Sequence, residues 1–399
     1  MQEPPFVVGK PAEGEYFVNR EKELERLLSL TKGVEKGAAS NCVLIGLRRT
    51  GKTSIIYNLA KKLRPTRIIP ITINCYGLSS KSRFARLVVD TSILGYVERT
   101  GDNAYRKRLA KVLSETAKSA INKLSEVTFW EFSVKLRDSK SDEEILVEEA
   151  LQYVESLAKE KGVFFAVILD EFQDIIKWGE QTLKRLRTII QDQKRTCYLL
   201  SGSATTVMHN LVYEKRSPFY RQLFEVSVGK LENNIVKRFL KERFDTVKIK
   251  IDDSEIDKIA TYCEGYPDYI QRLGLELYLL VGPGGSITVS QIERAYEDMI
   301  LGLDGEFENY FKTFSPTERE ILVAISREKS KASEIAREAR KQVQNISKEL
   351  RMLVNYSVIE KPMTGQYRIA DPVFSDWLNR RFSGRDKPLG FDSYIGKFA

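Results

Sequence analysis

Residues 46–53 read Gly46-Leu47-Arg48-Arg49-Thr50-Gly51-Lys52-Thr53, and this stretch decides the fold class. It matches G-x-x-x-x-G-K-[ST] in full. The glycines let the backbone curl so that successive N–H groups converge, an arrangement suited to phosphate oxygens. The flanks agree. The apolar run Cys42-Val43-Leu44-Ile45 leads into the loop, and residues 54–63, SIIYNLAKKL, leave it with helical composition. Strand, glycine loop and helix in that order are the context the motif requires, and the helix points its positive end at the same phosphates. Lys52 is expected to reach the β- and γ-phosphates of a nucleotide, and the Thr53 hydroxyl to ligate Mg2+. Gly46, Leu47, Arg48, Arg49, Thr50, Gly51, Lys52, Thr53 and Ser54 together are the expected nucleotide contacts.

Working outward, residues 67–74 read as a second strand, with Pro70 pointing to an edge position. Residues 163–169, Val-Phe-Phe-Ala-Val-Ile-Leu, form the continuous apolar run of a buried parallel strand. Residues 197–203 and 223–228 read as two more. Helices are expected over 82–125, 143–160 and 180–193, the first of them notably basic. Trp130, Phe132, Val134 and Leu136 alternate with polar residues, as a strand does. Strands alternating with helices predict an α/β fold with a parallel sheet.

The strand at 163–169 ends in Asp170-Glu171. Asp170 is placed to hold Mg2+, directly or through water, and Glu171 to orient and deprotonate a water. Two adjacent acids at a strand end also suit a solvated turn, but beside a phosphate loop the hydrolytic reading is the stronger. Ser203 ends the next strand, which in such a sheet lies between the other two. It either touches the γ-phosphate or the attacking water, or it only begins a turn.

On the N-terminal side, Asn19 is expected to cap a helix through residues 20–28, with Leu24, Leu27 and Leu28 as its apolar face. On the C-terminal side, residues 231–301 read as helical, with a break at Gly265-Tyr266-Pro267 and a loop at 282–285. Residues 302–314 read as a linker. Ser315 and Pro316 then open a helix as N-cap and N1. Short helices at 331–336 and 341–354 follow. Residues 358–361 and 367–369 flank a turn at Thr364-Gly365, giving a hairpin. Three helices and a wing predict a winged helix-turn-helix. The outer face of its third helix offers Lys341, Gln342, Gln344, Asn345, Lys348 and Arg351, and the wing offers Lys361 and Arg368. These residue types suit double-stranded DNA. They also suit a solvated face that packs internally or on a protein, and both readings stand. The expected domains are 1–230, 231–304 and 305–399.

Composition sets bounds. The chain has 399 residues, 42% hydrophobic and 30% charged, which is a globular balance, and a formal net charge of +9 that favours acidic partners. Cys42, Cys75, Cys197 and Cys263 lie far apart without a C-x-x-C pair, and His209 is the only histidine. Neither a zinc knuckle nor a redox motif is suggested, and no His-based metal cluster or triad can be built. Neither a signal pattern before Asn19 nor a run of 18 apolar residues is present. No membrane association is expected, and the location read from this is cytoplasmic.

With GLRRTGKT, FFAVILDEFQD (164–174) and LLSGSATTVM (199–208) in this order, the chain resembles the archaeal ATPase family, in the STAND branch of the AAA+ class. EYFVNREKELERL (15–27), SPFYRQ (217–222), CEGYPDYIQ (263–271) and YRIADPVFSDWLNRR (367–381) extend the resemblance over almost the whole chain. It implies an ASCE-type P-loop NTPase with a five-stranded core sheet, a helical lid and a C-terminal winged helix-turn-helix. It implies ATP and ADP as ligands, Mg2+ as cofactor, and hydrolysis of ATP by Lys52, Thr53, Asp170 and Glu171. Asn19 and Arg20 match adenine-side contacts, and Pro267 a lid contact to the base. Arg221 matches an arginine-finger position, although the glycine that precedes it in the family is absent here; a plain surface arginine fits as well. No arginine follows Gly265, as one would in origin-recognition initiators, and Arg272 is a weak substitute, which favours the STAND-like reading. The expected function couples nucleotide state to DNA or partner binding. The alternatives are a slow switch that signals by self-association, with a winged helix that binds protein, and a DNA-binding regulator that uses ATP only as a ligand.

Overall fold

The computed structural model describes residues 3–78, 80–105, 107 and 143–382. The alternating stretch at Trp130–Leu136 lies outside these residues, as does most of the segment expected to extend the basic helix beyond residue 100. The described residues fall into two compact units, one within 6–239 and 266–271 and the other within 3–5, 240–265 and 272–382.

The first unit is a parallel α/β sheet. Strands β1 (Cys42–Ile45), β2 (Ile68–Asn74), β3 (Phe164–Asp170), β4 (Thr196–Gly202) and β5 (Phe224–Ser227) lie in the order β2-β3-β4-β1-β5. Every pairing is parallel. The burial of each strand follows its place. All seven residues of β3 and of β4 are buried, whereas β2 and β5, at the edges, expose residues along their length. Pro70, which has no N–H to donate, is tolerated on edge strand β2.

Helices cover both faces. On one side α1 (Glu21–Lys32) and α2 (Lys52–Leu63) bury Leu24, Leu27, Ile55, Ile56 and Leu59 against Leu44, Ile168 and Leu199. On the other lie α3 (Lys81–Thr100), α4 (Glu143–Lys161), α5 (Gln173–Ile176), α6 (Glu180–Asp192) and α7 (Thr205–Tyr213), packed on Ile71, Phe165, Val167 and Leu200. Asn19 does not cap α1. The N-cap is Arg20, without a side-chain bond, and Asn19 has φ 52°. The Arg20 side chain is committed elsewhere, as described below.

A buried acid sets where β4 begins. Glu155 of α4 accepts hydrogen bonds from the N–H groups of Lys194 (3.1 Å) and Arg195 (3.1 Å) and from the Thr196 hydroxyl (3.0 Å). The two N–H groups precede the buried strand, and the carboxylate supplies a partner for each.

In the second unit, α9 (Asp253–Cys263), α11 (Val289–Gly302), α12 (Asp304–Lys312), α13 (Pro316–Ser326), α14 (Ala332–Glu338), α15 (Val343–Asn355) and α16 (Pro372–Phe382) accompany an antiparallel ribbon of β6 (Ile359–Glu360) and β7 (Arg368–Ile369). Helices α8 (Asn233–Thr246) and α10 (Pro267–Val281) each begin in the first unit and end in the second. The capping box at Ser315 and Glu318 is present, with Pro316 in the first turn. The expected linker at 302–314 is instead mostly helix α12. Phe307, Tyr310 and Phe311 recur at i, i+3 and i+4 and pack on Phe374 and Trp377 of α16. The glycines and acids interleaved with these rings hid the period. Among the described residues, no helix is long and apolar enough to cross a membrane.

Glu155→Leu leaves three donors without their partner, the Thr196 hydroxyl in a buried position and the N–H groups of Lys194 and Arg195 in partly buried ones. Its unfolding free energy should fall by at least about 2 kcal/mol, read as a lower urea midpoint. An unchanged midpoint would show that other groups satisfy the start of β4.

Candidate nucleotide site

In a parallel sheet all carboxyl ends share one edge. The loop after β1, the Asp170-Glu171 pair after β3 and Ser203 after β4 therefore meet there, with β4 between β1 and β3. Gly46 leaves β1 where the next chain is very close: a Cβ on Gly46 would lie 2.4 Å from the Val228 carbonyl oxygen. The loop then turns through Arg49 (φ 63°) and Gly51 (φ 95°) into α2. Helix α2 has no side-chain cap and no acid in its first turn, so no acid of its own offsets its positive dipole end.

Lys52 is 5% exposed and donates to the carbonyls of Gly46 (2.9 Å) and Leu47 (2.9 Å). Burial lowers its pKa, opposed by the charges of Glu171 and Asp170. Thr50 is fully buried and its hydroxyl closes the loop on the Leu47 carbonyl at 2.8 Å. Thr53 is exposed at the start of α2. The Ser54 hydroxyl accepts from the Ala12 N–H at 3.0 Å, so the segment ahead of α1 is fastened to the loop helix.

Arg20 lies under the loop, 5% exposed. It donates to the carbonyls of Thr50 (3.2 Å) and Gly229, and Glu23 lies 3.5 Å away. Burial lowers its pKa, with Glu23 and Glu21 opposing. The guanidinium thus ties the phosphate loop to the chain beyond β5. Asn19 is exposed, and its carbonyl accepts from Arg20 at 3.3 Å. Pro267 opens α10 in the same unit. Gln271, one turn on, bridges to the N-terminal segment by accepting from Val7 N–H (3.0 Å) and donating to the Tyr16 carbonyl (3.2 Å). Arg49 pairs with Asp268 and lies 4.9 Å from the Tyr269 ring centroid, so the loop also touches the start of α10. Arg48 is exposed and lies 6.0 Å from the ring centroid of Tyr76.

Asp170 is buried at the end of β3, and its Oδ1 accepts from the Glu171 N–H at 3.0 Å. Burial raises its pKa, the neighbouring Glu171 charge adds to this, and Lys52 opposes it. Glu171 has φ 54°, a left-handed backbone that turns its side chain out of the strand direction. Its Oε2 accepts from the Ser203 hydroxyl at 2.9 Å and from the Gln173 amide. Gln173 also donates to Ser203 Oγ (3.3 Å) and accepts from the Ser203 N–H (3.3 Å). Sequence reading did not single out Gln173, Arg49's partner Asp268 or the Arg20 brace. The only available signal for Gln173 was an amide two residues past an acid pair.

Arg221 is exposed with φ 56°, and its guanidinium lies 5.1 Å from the Tyr220 ring centroid. In the second unit Gln342, Gln344, Asn345, Lys348 and Arg351 are exposed on or beside α15, as is Lys361 near the Tyr367 ring. Lys341 pairs with Glu320 at 2.8 Å, and Arg368 pairs with Glu360 and with Glu264 at 3.7 Å.

Comparison with known proteins agrees with this geometry. The family described as an ATPase domain predominantly from Archaea matches residues 17–273. Comparison with curated proteins finds no match. Among solved structures, the Walker-type ATPase PABY2304 of Pyrococcus abyssi is similar with a TM-score of 0.67 at 20% identity, covering 94% of this chain and 99% of that one. The Aeropyrum pernix ORC2 protein, solved in ADPNP–ADP complexes, gives 0.57 at 14% identity over 95% and 98%. The Aeropyrum pernix ORC1 protein, solved in complex with DNA, gives 0.52 at 14% identity over 92% and 94%. A glycine loop at the end of β1, an acid pair at the end of β3 and a family match over most of the chain lead to one statement: this chain is a P-loop ATPase and belongs to the predominantly archaeal ATPase family.

Proposed function

We propose that the protein hydrolyses ATP with Glu171 as general base and couples its nucleotide state to a partner bound by the C-terminal module. The observation that carries the hydrolytic reading is the Glu171 carboxylate, fixed by Ser203 and Gln173 beside the phosphate loop. Among the described residues no donor reaches its Oε1, which is left to accept a proton from water. Lys52 is the cation for the β- and γ-phosphates. The backbone N–H groups of residues 46–53 and the open end of α2 hold the remaining phosphate charge. Asn19, Arg20 and Pro267 are the residues we assign to the adenine side, where Gln271 joins their two segments.

The donors also fit Mg2+. Thr53 presents an exposed hydroxyl and Asp170 a carboxylate, both hard oxygen ligands, and Mg2+ typically takes one or two protein oxygens beside substrate phosphates. When bound there, Mg2+ would neutralise charge developing on the phosphate oxygens. No group of three or more His, Cys, Asp or Glu suited to a metal occurs among the described residues, so a dedicated all-protein metal cage does not compete with this assignment.

We read residues 315–382 as a winged helix-turn-helix with α15 as its recognition helix. Lys348 and Arg351 are placed for phosphates, and Gln344 and Asn345 for base edges. The net charge of +9 and the likeness to ORC1 in complex with DNA support a DNA partner. A second reading, a slow switch whose winged helix binds protein, draws on the ion pairs of Lys341 and Arg368. It also draws on α16, whose Asp376 and Trp377 bond Tyr296 of α11 and Asp304 of α12. Four buried free cysteines suit a reducing compartment, and we place the protein in the cytoplasm.

Steady-state ATP turnover tests the hydrolytic reading. Lys52→Ala should abolish it, and Glu171→Gln should lower kcat by about 10²- to 10⁴-fold while nucleotide binding survives. Wild-type turnover in Glu171→Gln would sink the base assignment. For the module, Lys348→Ala with Arg351→Ala should weaken duplex DNA binding and reduce the slope of log K against log salt by about two. If the wild type binds no duplex at low salt and instead grows in mass with ATP, the switch reading replaces the DNA reading.

A further inference from the structure

Gln173 touches both of the side chains that stand between the strand ends, and the hydrolytic reading above counts it as a hydrogen-bond partner of Glu171 without giving it a part in turnover. It is 6% exposed. Its amide nitrogen donates to Glu171 Oε2 and, at 3.3 Å, to Ser203 Oγ, while its amide oxygen accepts from Ser203 N–H at 3.3 Å. With the Ser203–Glu171 bond at 2.9 Å the three side chains close a ring. The space for this ring is made by the backbone of β4: a Cβ on Gly202 would come within 2.7 Å of the Gln173 amide oxygen.

We propose that Gln173 is a positioning residue for hydrolysis, orienting the Glu171 carboxylate and registering it to the end of β4. The inference rests on Glu171 being the base. Three facts favour positioning over simple packing. Both donors fall on one oxygen of Glu171, which fixes the carboxylate plane and leaves the other oxygen available to water. Glu171 has a left-handed backbone just past β3, so its carboxylate is oriented by the bonds from Ser203 and Gln173 rather than by the strand. The amide is also used at both ends, donor toward the acid and acceptor toward the Ser203 backbone, which an apolar filler would not require.

The experiment is a kinetic cycle on the full chain. Gln173→Met keeps length and volume but removes both polar ends. Gln173→Glu keeps the acceptor for Ser203 N–H and sets a second carboxyl against Glu171 in place of the neutral amide donor. Each should lower kcat about ten- to a hundredfold, the worth of one hydrogen bond to a charged group. The KM for ATP and the nucleotide affinity should move less than about twofold. Added to Glu171→Gln, either change should lower kcat by less than about a further twofold, because the residue acts through a base that is already gone. A structural role would lower stability and nucleotide affinity and would persist in the Glu171→Gln background; that result overturns the inference. So does wild-type kcat in a folded Gln173→Met protein when Glu171→Gln is inactive, which leaves the base assignment standing. Full activity in Glu171→Gln removes the base assignment itself, and the positioning role with it.

Discussion

The structure depends on β1 lying between β4 and β5 with all three strands parallel. That pairing sends the chain off the carboxyl edge at Gly46, where the N–H of Gly46 approaches the Gly202 carbonyl at 3.4 Å and the Val228 carbonyl leaves no room for a side chain. Every later contact inherits this placement. Lys52 is buried because the loop curls over it. Arg20 bridges Thr50 and Gly229 because the chain after β5 runs beside the loop. The acid pair comes within electrostatic reach of Lys52 because one strand, β4, separates β3 from β1.

Such a site brings cations and anions together in a poorly solvated place, and each charge shifts the other. Lys52 is depressed by burial and lifted by the two acids, whereas Asp170 is raised by burial and lowered by Lys52. Neither group would be stable as an isolated buried charge. The loop carbonyls and the Glu171 N–H supply the hydrogen bonds that make the cluster tolerable. Arg49 follows the same rule on the other flank, sharing its charge between Asp268 and the Tyr269 ring.

The parts of this arrangement that are local in sequence were legible there. A glycine loop between an apolar run and a helix announces itself, and so does an uninterrupted apolar strand ending in two acids. Pro70 marked the edge strand because a missing N–H is a local property. What sequence could not show depends on side chains that meet across distant segments. Arg20 looked like the residue after a cap, yet its partners lie 30 and 209 positions away. Gln173 is close to Glu171 in sequence, but its meaning comes from Ser203, 30 residues on. Helix α12 is not legible in the sequence because its period is carried by aromatic rings whose partners sit on α16.

The backbone at Glu171 shows why that distant contact matters. A left-handed conformation in a residue with a Cβ costs about 1–2 kcal/mol, and it persists only where its surroundings over-determine it. Here they do. The N–H of Glu171 is held by Asp170 Oδ1, the next N–H, that of Phe172, by the Ser201 carbonyl at 2.8 Å, and the carboxylate by Ser203 and Gln173. Strand β3 must end abruptly for Asp170 to stay in the sheet while Glu171 turns toward the phosphate loop. The hydrogen bonds to β4 offset the cost of that turn and also set the direction of the acid, so the same contacts that stabilise the strained residue aim it.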